Sequence, residues 1–219
     1  MHQDLLKKVE TFINQSSFQE KIKNADKIYH EFQDKFSPDK LRNLTGDELL
    51  NTMFSNNKQD MCWFLEFHPE CKELMGTISG YASSTYEIYK KAATGQWMYR
   101  GKDSLSHNEI LQKAYKIRDG LIDLCDVIKD NLSNLGTIAG YETLSQYWDN
   151  QKIWVKKYVH MIFPDYFPSI YKDELIENCA DLLKLPLAKN KCAQAGSIVL
   201  EAKKCNLRNF EFAYALEQI

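Results

Sequence analysis

The chain has 219 residues, 44% of them hydrophobic, which is enough for one large or two small domains with a proper core and too apolar for a disordered segment. With 28 Lys and Arg against 30 Asp and Glu, the net charge of −2 excludes strong sequence-blind attraction to nucleic acid, so any DNA contact needs a local basic patch. Six cysteines lie scattered in a chain with no signal peptide, transit segment or membrane-spanning apolar run, so free thiols and a cytoplasmic location are expected, with no membrane partner.

In chain order, Leu5, Val9 and Phe12 predict an amphipathic helix over 4–13. A second runs on from Ser17 through Phe18, Ile22, Ala25, Tyr29, Phe32 and Phe36. Ser37-Pro38 suits an N-cap and first helical residue, and Thr45-Gly46-Asp47-Glu48 has the capping-box pattern ahead of Leu49, Leu50 and Phe54. Trp63 to Phe67 fits a buried strand or the last turns of a helix equally well. Gly76 and Gly80, amid Thr and Ser, predict a tight irregular loop. Tyr81 stands where a P-loop would need its lysine, so the glycines of this loop are read first as serving chain geometry.

Ile88 to Tyr99 predicts a β-hairpin whose polar turn contains Gly95. Ser106-His107-Asn108-Glu109 is another capping box, opening a helix through Ile110, Ala114, Ile117, Leu121, Leu124 and Ile128 that ends near Asn131. Residues 133–140 read as a loop or joint. Aromatics then crowd from Tyr141 to Tyr171, with Trp154, Tyr158 and Met161 on one helical face that ends at Pro164 and Pro168. Leu175, Cys179 and Leu182, with Ile176 and Leu183, predict a helix before Pro186, and 191–204 and 209–218 predict two more. The fold class expected is α+β, mainly helical with one small β-hairpin. Its segments are 1–60, 61–132 and 133–219, within one compact domain.

No complete catalytic or metal signature is present. Cys62, His68 and Cys71 have spacings that fit no standard zinc site and lack a fourth ligand. The five histidines have no local partner set. His107 reads as a first-turn surface residue and His160 as a hydrogen-bonded core histidine. The expectation is a non-enzyme without cofactor or metal. Two clusters combine aromatics that could stack a base with cations that could hold phosphate: Trp97, Tyr99, Arg100 and Lys102, and Trp154 with Lys152, Lys156 and Lys157. Each has a plainer reading, the tryptophans as core and the lysines as a solvated face.

In order along the chain stand Leu65-Glu66-Phe67, Gly76-Thr77-Ile78-Ser79-Gly80, Ile88-Tyr89, Thr94-Gly95-Gln96-Trp97, Ala114-x-x-Ile117-Arg118-Asp119, Trp154-x-x-Lys157-Tyr158 and Phe163-Pro164-Asp165-x-Phe167-Pro168. This order resembles the N-terminal region of McrB-like AAA+ ATPases, over residues 35 to 185 or so. The resemblance implies a specificity domain that reads a DNA feature or modified base and partners a downstream AAA+ motor and a nuclease subunit in antiviral restriction. The DNA-binding candidates are then Trp97, Tyr99, Arg100, Lys102, Trp154, Lys156 and Lys157, and the loop candidates Gly76, Ser79, Gly80 and Tyr81. The family pattern favours a glycine where Tyr81 stands and a lysine where Thr85 stands, which weakens the loop as a ligand site. No Walker motif is present, so no hydrolytic role transfers. The alternative is a protein-interaction or scaffold module of an anti-phage AAA+ system without direct DNA binding.

Overall fold

A computed structural model describes residues 2–78, 86–102 and 105–218. Helices dominate, and the sheet among the described residues has two antiparallel strands, which is the mainly helical α+β class expected. The chain packs as two compact units, Met1–Tyr29 with Val127–Ile219, and His30–Asp126. The unit boundaries fall inside the helices Ala25–Phe36 and His107–Asn131.

In the first unit, helix His2–Ile13 packs on the C-terminal helix Asn209–Gln218, while Ile138–Thr143 and Asp173–Leu182 pack on Lys191–Lys204. The last of these accepts neighbours closely because Ala193, Ala195, Gly196 and Ala202 line it and are all buried. Asn190 starts it, its side-chain oxygen accepting from the Ala193 amide at 2.8 Å. Leu5, Val9, Ile13, Phe18, Ile176, Ile198, Phe212 and Leu216 form one apolar core, each such side chain stabilising by about 2 kcal/mol when fully buried. The helix expected to run unbroken from Ser17 to Phe36 is two, Ser16–Ile22 and Ala25–Phe36. Asn24, a poor interior residue but a good starter, interrupts it, its carbonyl accepting from Ile28 at 3.0 Å. Helix Asp173–Leu182 also lies rotated from the expected face. Ile176, Cys179 and Leu183 enter the core, and Leu175 and Leu182 face outward.

In the second unit, Trp63 to Phe67 is helical, within Met61–Phe67. Its start is decided by Asp60, 1% exposed, whose carboxylate accepts from the amides of Asn57 and Trp63 at 3.0 Å each. Ser37 and Thr45 precede helices Pro38–Arg42 and Gly46–Phe54 in extended backbone, but neither makes a side-chain cap bond. The Ser106 box does close, with Glu109 accepting from the Ser106 amide at 2.8 Å and Ser106 Oγ accepting from the Glu109 amide at 3.4 Å. Phe32, Phe36 and Phe64 form an aromatic cluster with centroids 5.2 to 6.0 Å apart, and His68 stacks on Phe64 at 4.2 Å. Gly76 ends helix Pro69–Met75 with a φ of +66, a left-handed conformation that glycine adopts without strain. Ser79, Gly80 and Tyr81 lie outside the described residues.

Candidate nucleic-acid interface

The hairpin pairs Ile88–Lys90 with Trp97–Tyr99, in the register Ile88 to Tyr99, Tyr89 to Met98 and Lys90 to Trp97. Its turn closes through the Lys91 amide donating to the Gln96 carbonyl and the Gly95 amide donating to the Lys91 carbonyl, both at 2.8 Å. Gly95 has a φ of +68. The chain then reverses again at Arg100-Gly101, both at positive φ, so that Lys102 pairs back with Tyr99. Arg100 accepts that left-handed backbone because its amide donates to the Glu87 carbonyl at 2.7 Å and its guanidinium to the Glu87 carboxylate at 3.0 Å.

Alternation along the second strand decides what the hairpin presents. Met98 is buried, while Trp97 and Tyr99 are half-buried on the opposite face. Lys90 lies over Trp97 at 5.4 Å, and Arg100 and Lys113 lie over Tyr99 at 5.3 and 5.6 Å. Residues 91–96 at the tip are exposed, as are Arg100, Lys102 and Lys113. Between Ile88 and Lys102 there are four cations and no acidic residue. This surface is therefore locally basic and aromatic on a chain that is acidic overall. Lys90, Lys91 and Lys113 belong to it although sequence reasoning did not single them out. The Lys90-Lys91 pair was a visible signal, whereas Lys113 is brought there by the long helix.

Of the second cluster only Lys152 is exposed. Trp154, Lys156 and Lys157 are 3%, 2% and 0% exposed, which corrects their reading as DNA contacts. Helix Ile153–Ile162 is buried on most sides, so Lys156 and Lys157 run inward with their stems packed. Lys156 donates to Asp173 at 2.5 Å and lies 5.7 Å over the Trp148 ring; Lys157 lies 5.7 Å over Tyr171. Lys191 donates to the other Asp173 oxygen, also at 2.5 Å. Burial disfavours ionisation of Asp173, but the hydrogen bonds from Lys156 and Lys191 outweigh it and hold the carboxyl below its ordinary value. Lys156→Ala is expected to destabilise by about 2 kcal/mol, chiefly through the lost packing of its buried stem, since Asp173 keeps its bond to Lys191, and to leave any nucleic-acid affinity unchanged. Urea denaturation beside a binding titration checks both halves.

The cysteines are free, and burial pushes the Cys179 thiol up to about 11 and those of Cys62, Cys125 and Cys192 higher still, away from the nucleophilic thiolate. His107 is at the surface, 2.9 Å from Asp47, and His160 is fully buried. Among the described residues no group of His, Cys, Asp or Glu is placed to hold a metal, and no helix is long and apolar enough to cross a membrane. No protein-family model, curated protein or solved structure matches this chain.

Proposed function

We propose that this chain is the DNA-recognition domain of an McrB-like restriction motor protein, with the 88–102 hairpin as its contact to DNA. The observation that carries this reading is the hairpin itself, with four cations, two half-exposed aromatic rings and no carboxylate between residues 88 and 102. Lys91 and Lys102 are placed for phosphate, and Trp97 and Tyr99 for bases. On this reading a downstream AAA+ motor and a nuclease subunit receive the signal. The hairpin replaces the two-cluster arrangement expected from sequence, since Trp154, Lys156 and Lys157 are buried and of that cluster only Lys152 is exposed.

The test is a fluorescence-anisotropy titration of the chain against unmodified, methylated and hydroxymethylated DNA at several salt concentrations. Lys91→Ala and Lys102→Ala are each expected to reduce the slope of log affinity against log salt by about 0.9 on duplex, or about 0.7 on a single strand. Binding whose slope ignores both substitutions would sink the assignment of the hairpin.

A second reading, a protein-interaction module, is favoured by the acidic net charge and by Leu175, Leu182 and Leu187, which are exposed on the first unit, Leu187 at 90%. An absence of DNA binding at low salt would move the assignment there.

A further inference from the structure

We infer that the hairpin takes unpaired nucleotides, a single-stranded nucleic acid, in preference to an intact duplex. This rests on the proposal that the hairpin is the nucleic-acid contact, and it narrows the class of ligand. Trp97 and Tyr99 stand on the same strand face with Met98 buried between them. Two residues of strand separate them by about 6.7 Å. Unstacked bases of a single strand can therefore lie one on each ring.

The chemistry of the face selects for base planes over base edges. A duplex covers its base planes with their neighbours and offers only edges, which proteins read chiefly with bidentate amides and guanidinium groups and also with lysines and hydroxyls. From Ile88 to Lys102 the side-chain amides number one, Gln96, and the guanidinium of Arg100 is already held by Glu87 at 3.0 Å. What remains is mainly rings and ammonium groups, the pair that binds single strands by stacking and phosphate attraction, with the Glu87 carboxylate at one edge accepting from the Tyr99 hydroxyl at 3.2 Å. Of the cations now over the rings, Lys90 on Trp97 and Lys113 on Tyr99 sit on flexible stems at 5.4 and 5.6 Å, whereas Arg100, 5.3 Å from Tyr99, is held by Glu87. A stacking base replaces each ammonium on its ring and leaves it beside the phosphate that the base brings.

The experiment compares fluorescein-labelled oligothymidylate, oligouridylate of the same length, and the matched oligothymidylate–oligoadenylate duplex by anisotropy with the full chain. Both single strands are expected to bind at least ten-fold more tightly than the duplex, and the ratio between them separates DNA from RNA. Trp97→Ala and Tyr99→Ala are each expected to weaken single-strand binding about ten-fold with an unchanged salt slope, since stacking releases no counterions. Trp97→Phe keeps a ring and is expected to retain most of the affinity, which guards against a fold defect in the alanine variant; circular dichroism of each variant checks the fold directly. Duplex binding equal to or tighter than single-strand binding, indifferent to the two alanines, overturns this inference and leaves the DNA-recognition reading standing. Failure to bind any of the three at low salt overturns both.

Discussion

Gly196→Ala is expected to destabilise the first unit by about 3 kcal/mol, although alanine in a helix interior normally gains up to ~1 kcal/mol over glycine. A Cβ at this position of helix Lys191–Lys204 would stand 2.3 Å from Cγ and Cδ2 of Tyr141 and 2.8 Å from Cδ1. The ring has nowhere to go. Tyr141 is 0% exposed, its hydroxyl donates to the Tyr166 carbonyl at 2.7 Å, and Phe167 meets it edge-on at 6.1 Å. The overlap is therefore relieved only by separating the two helices, and overpacking of that kind outweighs the propensity gain. Gly120→Ala is the matched control. Gly120 is also helical, within His107–Asn131, but exposed and with nothing within 4 Å of the added carbon. It is expected to gain roughly 0.5 to 1 kcal/mol. Urea unfolding followed by circular dichroism reads both, and equal signs would refute the steric argument.

Acidification is expected to cost the fold about 2 kcal/mol between pH 7 and pH 5 through one group, His160. Its imidazole is 0% exposed and bonded at both nitrogens, to the Phe167 carbonyl through Nδ1 and to the Tyr29 hydroxyl through Nε2, each at 2.8 Å. A carbonyl only accepts, so Nδ1 carries the proton and Nε2 accepts from Tyr29. Burial depresses the pKa to about 4; the bond to Phe167 opposes this, and the charge of Lys157 adds to it. The unfolded chain, with a histidine pKa near 6.5, binds its proton first. Stability from the neutral imidazole is thus complete above about pH 6.5 and is lost progressively as the pH falls to about 4. His160→Gln is expected to remove this slope between pH 7 and 5. The difference between the two proteins isolates the imidazole, because Asp60 and Glu211, whose carboxyls burial raises, titrate in both. Asp173, whose carboxyl lies below its ordinary value, contributes its own loss only at still lower pH. Parallel curves for wild type and variant would mean that His160 is charged or solvated in the fold.

Helix and hairpin positions were legible because their signals are local. The 3.6-residue periodicity of Leu5, Val9 and Phe12 located helix His2–Ile13, and the Ser106 box opened the long one, whose bonds need only neighbours in sequence. Gly95 marked the hairpin turn for the same reason. Gly140 misled, since it reads as a loop residue yet lies inside helix Ile138–Thr143. There it is required by a contact with the Asn134 carbonyl, 1.9 Å from where a Cβ would stand. The break at Lys23-Asn24 was hidden because the apolar spacing runs on across it.

By itself, then, the sequence determined the helix-rich class, most element boundaries, the hairpin and the absence of any complete catalytic motif, all of which follow from residue type and spacing along a few turns of chain. Only the tertiary structure decided burial. It separated two aromatic and basic clusters of similar composition, placing Lys156 and Lys157 inside and Lys91, Arg100 and Lys102 outside. The physical reason is that a lysine tolerates burial only where a distant residue supplies its counter-charge, and Asp173, the partner of Lys156, stands 17 positions along the chain.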